Sequence, residues 1–388
     1  MQLSFYSILE TIHLPAMLYL HLVRVFPGAI LLATPLLAQM NYEHMADRIV
    51  TSLALEKGER VIVRYDPGYF HQLTAPLKTR IAAAGAIVSA ELEYLKPPAS
   101  DNGRLAKALE TADVYLWMPL CDDVLYVSPA EQQALAHWLD QGGKHREIHF
   151  HWSGGSVLAD GLATKHPPDF DRVYESALDV DYAALSAKQD RVIAALRSGT
   201  LRIRTPDGTD LTLRVMNRPM NKQDGDASPA RARRAKMRVD REVELPAGVV
   251  RVAPVENTVE GRLVIPEARF GDVIARKISF QIVAGEVKKI EAAEHRDAVE
   301  TALKAGGPAA FHFREIAIGV NPKLAVPAGS KVLPYYGYGD AVLRMSLGDN
   351  EELSGEVRGN WHRWFFFPVS TITADSRPIV QAGKLAIP

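Results

Sequence analysis

Cysteine is nearly absent from this chain of 388 residues, which contains a single one, Cys121. One thiol excludes an internal disulfide, a cysteine-based zinc site and a cysteine-ligated cluster. The residues around it, PLCDD, are acidic, and negative neighbours oppose the formation of a reactive thiolate. We therefore expect Cys121 to be a small buried apolar residue.

The chain also has almost no net charge, because 45 lysines and arginines nearly balance 46 aspartates and glutamates. Nothing in this balance directs the whole chain toward nucleic acid or an acidic surface. The sequence contains no P-loop, no dinucleotide-binding fingerprint and no G-x-S-x-G nucleophile elbow. With these motifs absent, the remaining chemistry rests on histidines and carboxylates.

The first 38 residues differ from the rest of the chain because they are almost entirely apolar. Arg24, a run of about a dozen apolar residues and the small residue Ala38 form the pattern of a signal peptide cleaved after Ala38. This interpretation predicts export, to the periplasm or the medium, with no stable membrane insertion after processing. The alternatives are an N-terminal membrane anchor, or a misplaced start with translation beginning at Met17 or Met40. Without a signal peptide we expect a cytoplasmic protein.

The composition, 47% apolar and 23% charged, is that of an ordinary folded protein, and 388 residues suggest two domains. Over residues 40–180, buried-type strands at 58–66, 112–120 and 147–152 are separated by segments with helical spacing. Alternation of this kind predicts an N-terminal α/β domain with a mostly parallel sheet and flanking helices.

Beyond the first domain the pattern changes to short strands with alternating apolar residues. Residues 200–215 contain two such strands around Asp207-Gly208, a strong turn signal for a hairpin. A second hairpin pattern lies at 276–292. We predict a C-terminal α+β domain over residues 181–388, rich in antiparallel hairpins.

Three histidine settings are candidates for chemistry. His149 and His151 alternate on a strand and so share a face, as a two-ligand metal site requires. We favour a surface or packing role for this pair, because the sequence nearby offers no third ligand. His312 and Glu315 lie on opposite sides of one strand, so only one of them can serve a site. Judged from its own sequence, GNWHRWFFFPVS, the third setting, His362, is a core histidine of an aromatic strand.

Glu315 is unusual among the carboxylates of the C-terminal half, because it lies inside an apolar strand, FHFREIAIG. Burying an unpaired carboxylate is expensive, so Glu315 must either face solvent or have a charged partner. The other carboxylates that we consider for a metal site or a general base are Glu256, Asp340, Asp349, Glu351, Glu352 and Glu356. Residue chemistry alone predicts a two-domain α/β protein with a candidate carboxylate and histidine metal site.

Several segments together resemble the metallo-aminopeptidases typified by aminopeptidase T, a family that includes bacterial leucyl aminopeptidases of the thermophilic type. The most specific match is LRIRTPDGTDLTLRV, which is similar to that family's Thr-Pro-x-Gly-Thr-Asp-Leu hairpin. Other segments that resemble the family are LALEKGERVIVRYD, ELPAGVVRVAPVENTVEGRLVI, REIAIGVNP and TITADSRPIVQAGKL. The resemblance covers residues 40–388. It implies a two-domain fold, two zinc or cobalt ions that activate water, removal of N-terminal residues from small peptides, and a homodimer.

The family's metal ligands carry over only in part. Glu315 matches a ligand glutamate and His362 matches a ligand histidine, and we expect both to bind metal if the protein is active. Glu256 or Asp340 is the candidate third ligand or catalytic base. The GNWHRWFFFPVS stretch then becomes the remains of a metal-binding strand, with its aromatic run as the packing face.

Three other ligand positions are replaced. Val249 stands where the resemblance implies a metal-bound glutamate, Arg344 where it implies a histidine, and Trp364 where it implies an aspartate. We therefore expect either a metal-dependent hydrolase or a relative that has lost catalysis. If Arg344 pairs with Glu315, a side-chain cation has replaced the metal.

Two further alternatives share the same fold. The sequence is also similar to the dihydroxypyridine ring-cleaving dioxygenases, which implies one iron ion held by two histidines and one carboxylate. The other alternative is a non-catalytic member that holds no tight metal and binds a small molecule. None of the three interpretations predicts a nucleic-acid partner.

Overall fold

The structure, a computed structural model, describes residues 40–94, 103–119, 128–152 and 155–387. The predicted signal peptide and Cys121 lie outside these residues. Within them, no helix is both long enough and apolar enough to span a membrane. The division into domains at residue 180 stays a prediction.

Helices and strands alternate at first, and strands dominate later. The helices are α1 (Tyr42–Leu53), α2 (Pro67–Ala83), α3 (Arg104–Leu109), α4 (Pro129–Asp140), α5 (Phe170–Leu178), α6 (Tyr182–Arg197), α7 (Pro229–Arg234) and α8 (Arg296–Ala305). The first ten strands are β1 (Arg60–Tyr65), β2 (Ile87–Glu93), β3 (Val114–Met118), β4 (Arg146–His149), β5 (Val157–Leu158), β6 (Leu201–Arg204), β7 (Asp210–Leu213), β8 (Asn221–Gln223), β9 (Glu242–Glu244) and β10 (Val249–Val252). The later strands are β11 (Glu260–Phe270), β12 (Val273–Val283), β13 (Glu286–Glu291), β14 (Phe313–Gly319), β15 (Val332–Leu333), β16 (Leu343–Gly348), β17 (His362–Phe367), β18 (Thr371–Ala374), β19 (Arg377–Gln381) and β20 (Lys384–Leu385).

The first sheet is parallel and follows the order β2-β1-β3-β4-β9. Strand β3 is buried at every position because separate hydrophobic clusters cover its two faces, which explains its continuous apolar sequence VYLWM. Helix α4 begins with a capping box, in which the Ser128 hydroxyl accepts the backbone N–H of Glu131 at 3.2 Å and the Glu131 carboxylate accepts the backbone N–H of Ser128. The predicted α/β architecture with a mostly parallel sheet is confirmed.

The second half consists mainly of antiparallel strands, as predicted. Its largest sheet follows the order β13-β12-β11-β7-β6-β18-β19-β20. Strands β6 and β7 form the hairpin expected around Asp207-Gly208, and their register pairs Leu201 with Leu213. The φ of Gly208 is +101°, a backbone conformation that favours glycine at this turn. Strands β12 and β13 form the second predicted hairpin.

A five-stranded antiparallel sheet, with the order β17-β16-β14-β10-β8, carries the candidate site. Arg251 of β10, Ala317 of β14 and Arg344 of β16 are directly paired neighbours, so their side chains leave the same face of the sheet. Glu315 pairs with Ser346 one step along the same face. The register of three adjacent strands therefore brings Glu315 close to two arginines.

Strand β17 carries the aromatic run of the GNWHRWFFFPVS stretch. The rings of Phe365, Phe366 and Phe367 are all buried. Phe365 and Phe367 belong to the main hydrophobic core, whereas Phe366 packs in a smaller cluster with Val157 and Leu333. The strand is therefore packed on both of its faces.

Candidate functional site

Glu315 is fully buried and has arginine partners on both sides. Its Oε2 accepts a hydrogen bond from Arg251 Nε at 3.1 Å, and its Oε1 lies 3.2 Å from a terminal nitrogen of Arg344. A terminal nitrogen of Arg314 lies 3.6 Å from the same Oε1. Burial alone would raise the pKa of Glu315, but the charges of Arg251, Arg344 and Arg314 outweigh it and lower the pKa. Of the two outcomes expected for this residue, the charged partner is the one found.

A second carboxylate, Glu352, completes the arrangement. It accepts hydrogen bonds from Arg251 and from Arg314, the latter at 2.5 Å. Burial would raise the pKa of Glu352, but these two guanidinium groups lower it well below its usual range. We call Arg251, Arg314, Arg344, Glu315 and Glu352 the arginine cluster. With both carboxylates ionised, it carries one positive charge more than negative ones.

His362 lies on the same face as Glu315 but two strands away. It pairs with Gly348 of β16, and Glu315 pairs with Ser346 of that strand. His362 is exposed and is not the core histidine that its own sequence predicts. Its pKa still falls to about 4, first because neighbouring atoms reduce the hydration of the ring and second because Arg314 is nearby. The imidazole is therefore neutral at neutral pH, and the two predicted ligands are separated by a strand.

The two candidates for a third ligand or base lie elsewhere and have other partners. Glu256 accepts hydrogen bonds from Asn350 Nδ2 at 3.0 Å and from the backbone N–H of Glu356 at 2.9 Å, and it also pairs with Arg218. Asp340 accepts a hydrogen bond from Lys188 Nζ at 2.5 Å. The described residues contain no group of three histidine, cysteine, aspartate or glutamate side chains arranged to hold a metal ion.

The three replaced ligand positions behave as structural residues. Val249 is buried in β10. The guanidinium of Arg344 lies over the ring of Trp364, 4.6 Å from its centroid, so two of the replacements contact each other. A dication does not fit this donor set, because each guanidinium at about 4 Å would repel it by about 8 kcal/mol at an effective dielectric constant of about 20.

Several buried donors of this region have no acceptor. Arg344 Nε, Ser346 Oγ and Trp364 Nε1 are shielded from solvent and find no hydrogen-bond partner in the part of the chain that the structure describes. Leaving a buried donor unpaired costs about 1–3 kcal/mol. An oxygen acceptor placed beside them would satisfy these donors.

His149 and His151 are both engaged in hydrogen bonds. His149 and His151 share a face, as predicted, and their rings stack with centroids 5.1 Å apart. His149 Nε2 lies 2.7 Å from Glu147 Oε1, and His151 Nδ1 lies 2.7 Å from the Tyr336 hydroxyl. Each ring thus has a protein partner, in agreement with the packing role that we favoured for the pair.

Sequence reasoning found Glu315 and Arg344, named Glu352 only as one of several candidate carboxylates, and missed Arg251 and Arg314. A signal was present for the two arginines, because VVRVA and HFREI each place an arginine inside an apolar strand. A buried arginine needs a carboxylate as much as a buried glutamate needs a cation. Glu352 lies outside the strands in a charged run, GDNEELSGE, which gave no such signal.

Comparison with known proteins supports the fold. No protein-family model and no curated protein matches the sequence. Among solved structures, the chain is similar to wild-type AmpT, the aminopeptidase T of Thermus thermophilus, with 15% identity, 89% of this chain and 99% of that chain covered, and a TM-score of 0.56. The chain has the aminopeptidase T fold.

The aminopeptidase T fold is not confined to peptidases. The chain is also similar to a 2,5-dihydroxypyridine dioxygenase from Pseudomonas putida KT2440, with 16% identity, 89% of this chain and 97% of that chain covered, and a TM-score of 0.60. Identities this low establish the shared fold but do not choose between a peptidase and a dioxygenase. The choice of function therefore depends on the residues of the site.

Proposed function

We propose that this protein is a metal-independent, non-catalytic member of the aminopeptidase T fold that binds a small anionic molecule. The observation that carries the proposal is the buried ion pair between Glu315 and Arg344, reinforced by Arg251 on the other carboxylate oxygen. A guanidinium group stands beside the one carboxylate that matches a family ligand, and it supplies the positive charge that a metal ion would otherwise supply.

The two catalytic alternatives depend on metal ions and receive less support from the site. A metallo-aminopeptidase needs two ions that activate water, and the iron dioxygenase needs two histidines and one carboxylate. Glu315 already faces Arg251 and Arg344, and Glu256 and Asp340 are paired with Arg218 and Lys188. In these ion pairs the carboxylate oxygens already face side-chain cations, so their lone pairs are not free to bind the metal ions that either centre requires.

The charge and the unpartnered donors of the arginine cluster support an anion as the ligand. The five residues of the cluster sum to one positive charge, and Arg344 Nε, together with Ser346 Oγ and Trp364 Nε1 beside the cluster, has no acceptor among the described residues. Guanidinium groups bind carboxylates and phosphates strongly because their planar N–H groups match pairs of oxygen atoms. A small carboxylate or phosphate is therefore the class of ligand that we propose.

Calorimetric titration of the metal-free protein with acetate, malonate and phosphate tests the proposal, with ethylammonium as the cationic control. We expect at least one of the anions to bind and ethylammonium not to bind. Arg344→Met should weaken anion binding about tenfold or more, because hydrogen bonds to charged groups contribute about 1.5–3 kcal/mol. Arg358→Met is the matched control, because Arg358 forms an exposed ion pair with Glu351.

Ser346→Ala provides a second variant that barely changes the packing. It should weaken anion binding about threefold to tenfold by removing one buried donor. Failure of all three anions to bind the wild-type protein, or equal binding by the wild-type protein and both site variants, would overturn the proposal. Export and homodimer formation, which rest on the sequence and on the family resemblance, are further proposals about the setting in which this binding takes place.

A further inference from the structure

A separate cavity of about 190 Å³ lies between helix α4 and one face of the parallel sheet. From the helix, Leu135, Ala136 and Leu139 contribute apolar side chains and Gln132 a polar one. The side of the cavity toward the sheet is polar. The strand register places Tyr115 beside Glu147 and Glu147 beside Glu242, so that these side chains leave the same face of the sheet.

Glu147 has one carboxylate oxygen without a hydrogen-bond partner among the described residues. Its side chain is only 1% exposed, and its Oε1 is 2.7 Å from His149 Nε2. Its Oε2 is shielded from solvent and has no hydrogen-bond partner among the described residues. A buried carboxylate oxygen without a donor is costly, so a ligand that donates a hydrogen bond to Oε2 would be stabilised here.

A second carboxyl group lies beside Glu147 in the cavity. Glu242 also lines it, and burial followed by the charge of Glu147 raises the pKa of Glu242 to about 7. The nearby cations are already paired. His149 contacts Glu147, while Arg238 lies 3.7 Å from Glu242 and 3.4 Å from Asp140. Among the residues that line the cavity, Glu147 and Glu242 are offset by His149 and Arg238, so the attraction for a positively charged ligand comes from the unpartnered Oε2 of Glu147 and not from a net negative charge.

The aromatic and aliphatic walls fit a hydrocarbon body. Trp117 lines the cavity and packs edge-on against His149, with ring centroids 4.8 Å apart. Its indole Nε1 is also buried without a partner in the described chain. An apolar protein cavity of about 150 Å³ holds benzene, so about 190 Å³ accommodates a ring or branched chain with one short arm.

We propose that this cavity binds a small organic amine, whose protonated nitrogen donates to Glu147 Oε2 and approaches Glu242. The hydrocarbon part of the amine packs against Leu135, Leu139 and Tyr115. No residue of the arginine cluster lines the cavity, so a negative result at one proposed site does not count against the other.

Three isosteric probes test the charge preference on the full-length protein by calorimetry near neutral pH. Benzylamine, benzyl alcohol and benzoate share one ring and differ in the charge of the arm. We expect benzylamine to bind about tenfold or more tightly than benzyl alcohol, because its hydrogen bond to a carboxylate is charge-assisted, and benzoate not to bind. Equal binding of amine and alcohol, preference for benzoate, or no binding of any probe would overturn the proposal.

Three variants test whether benzylamine binds in this cavity. Ala136→Phe fills the cavity without changing a charge and should abolish benzylamine binding. Glu147→Gln should weaken it about tenfold, because the charge of the acceptor is removed. Glu110→Gln, at an exposed glutamate of the same region, should leave binding unchanged. If Glu147→Gln does not fold, Ala136→Phe decides the question, since retained benzylamine binding in that variant contradicts this site.

Discussion

Arg344 and Glu315 form a buried ion pair across two neighbouring strands, with 3.2 Å between a guanidinium nitrogen and Oε1. The pair is diagonal, because Arg344 is in register with Ala317 and Glu315 is in register with Ser346. The family resemblance implies a metal ligand at Glu315 and a histidine at the position of Arg344. The guanidinium of Arg344 therefore supplies part of the positive charge that the buried carboxylate needs.

Removing that cation should destabilise the protein. Arg344→Met leaves Glu315 with fewer positive neighbours, and breaking a buried pair in this way costs about 3 kcal/mol or more. The exposed pair of Arg358 and Glu351 provides the control, because Arg358→Met should cost less than about 1 kcal/mol. Urea unfolding followed by circular dichroism measures both. Similar losses for the two variants would show that Arg344 does not neutralise a buried charge.

The coupling between the two residues gives a stricter version of this test. Glu315→Gln should destabilise the wild-type protein more than it destabilises the Arg344→Met variant, because part of its cost is the loss of that partner. Additive effects of the two substitutions would contradict the pairing.

Stability should fall as the pH drops from 6.5 to 4, partly because of His362. Loss of hydration and the charge of Arg314 lower the pKa of His362 from 6.5 to about 4. A depressed pKa in the folded state means that the unfolded chain binds the proton first, so the contribution is present above pH 6.5 and lost toward pH 4. His362→Gln should flatten the dependence of the free energy of unfolding on pH in this window. An unchanged slope would mean that the ring titrates normally.

Acid should affect the arginine cluster at still lower pH. The pKa values of Glu315 and Glu352 are lowered by their arginine partners against the opposing effect of burial, so their stabilisation is complete above the ordinary carboxyl range. It is lost as the pH falls below that range. Glu352→Gln should therefore remove part of the acid unfolding transition, and an identical transition in the variant and the wild-type protein would count against the cluster.

For His149, the dependence of stability on pH has the opposite sign to that for His362. Burial would lower the pKa of His149, but the carboxylate of Glu147, followed by those of Glu242 and Glu244, raises it to about 9. A raised pKa contributes stability that is fully present below pH 6.5 and is lost as the pH rises through about 9. His149→Asn should remove this alkaline loss, as measured by the urea midpoint between pH 6.5 and 9. A wild-type protein with constant stability over that range would contradict the assignment.

Local sequence patterns predicted the parts of the fold that depend on near neighbours. The strand at 112–120 and the hairpin around Asp207-Gly208 were predicted because periodicity and turn residues act over a few positions. Strand β9 was not predicted. It has three residues and joins the parallel sheet by pairing Glu242 with Glu147, far away in the sequence, and no local pattern marks such a pairing.

The candidate site, like the fold, was predictable only where the local sequence gave a reason. Burial cost alone required a charged partner for Glu315, and the family resemblance pointed to Arg344 as the departure that matters. The second partner, Arg251, lies 64 residues before Glu315, and only the register of β10 against β14 brings the two together. Glu352 joins from a segment outside the strands, so its role follows from tertiary packing and not from any spacing in the sequence.

The metal content of the purified protein tests the central claim most directly. The full-length protein is purified without chelator, incubated with zinc, cobalt or ferrous iron, desalted and analysed for metals, with Arg344→His as the variant that returns a ligand side chain to the site. We predict that the wild-type protein retains far less than one ion per chain and that none of the three metals raises its melting temperature. One iron, or two zinc or cobalt ions, retained per wild-type chain would contradict the account.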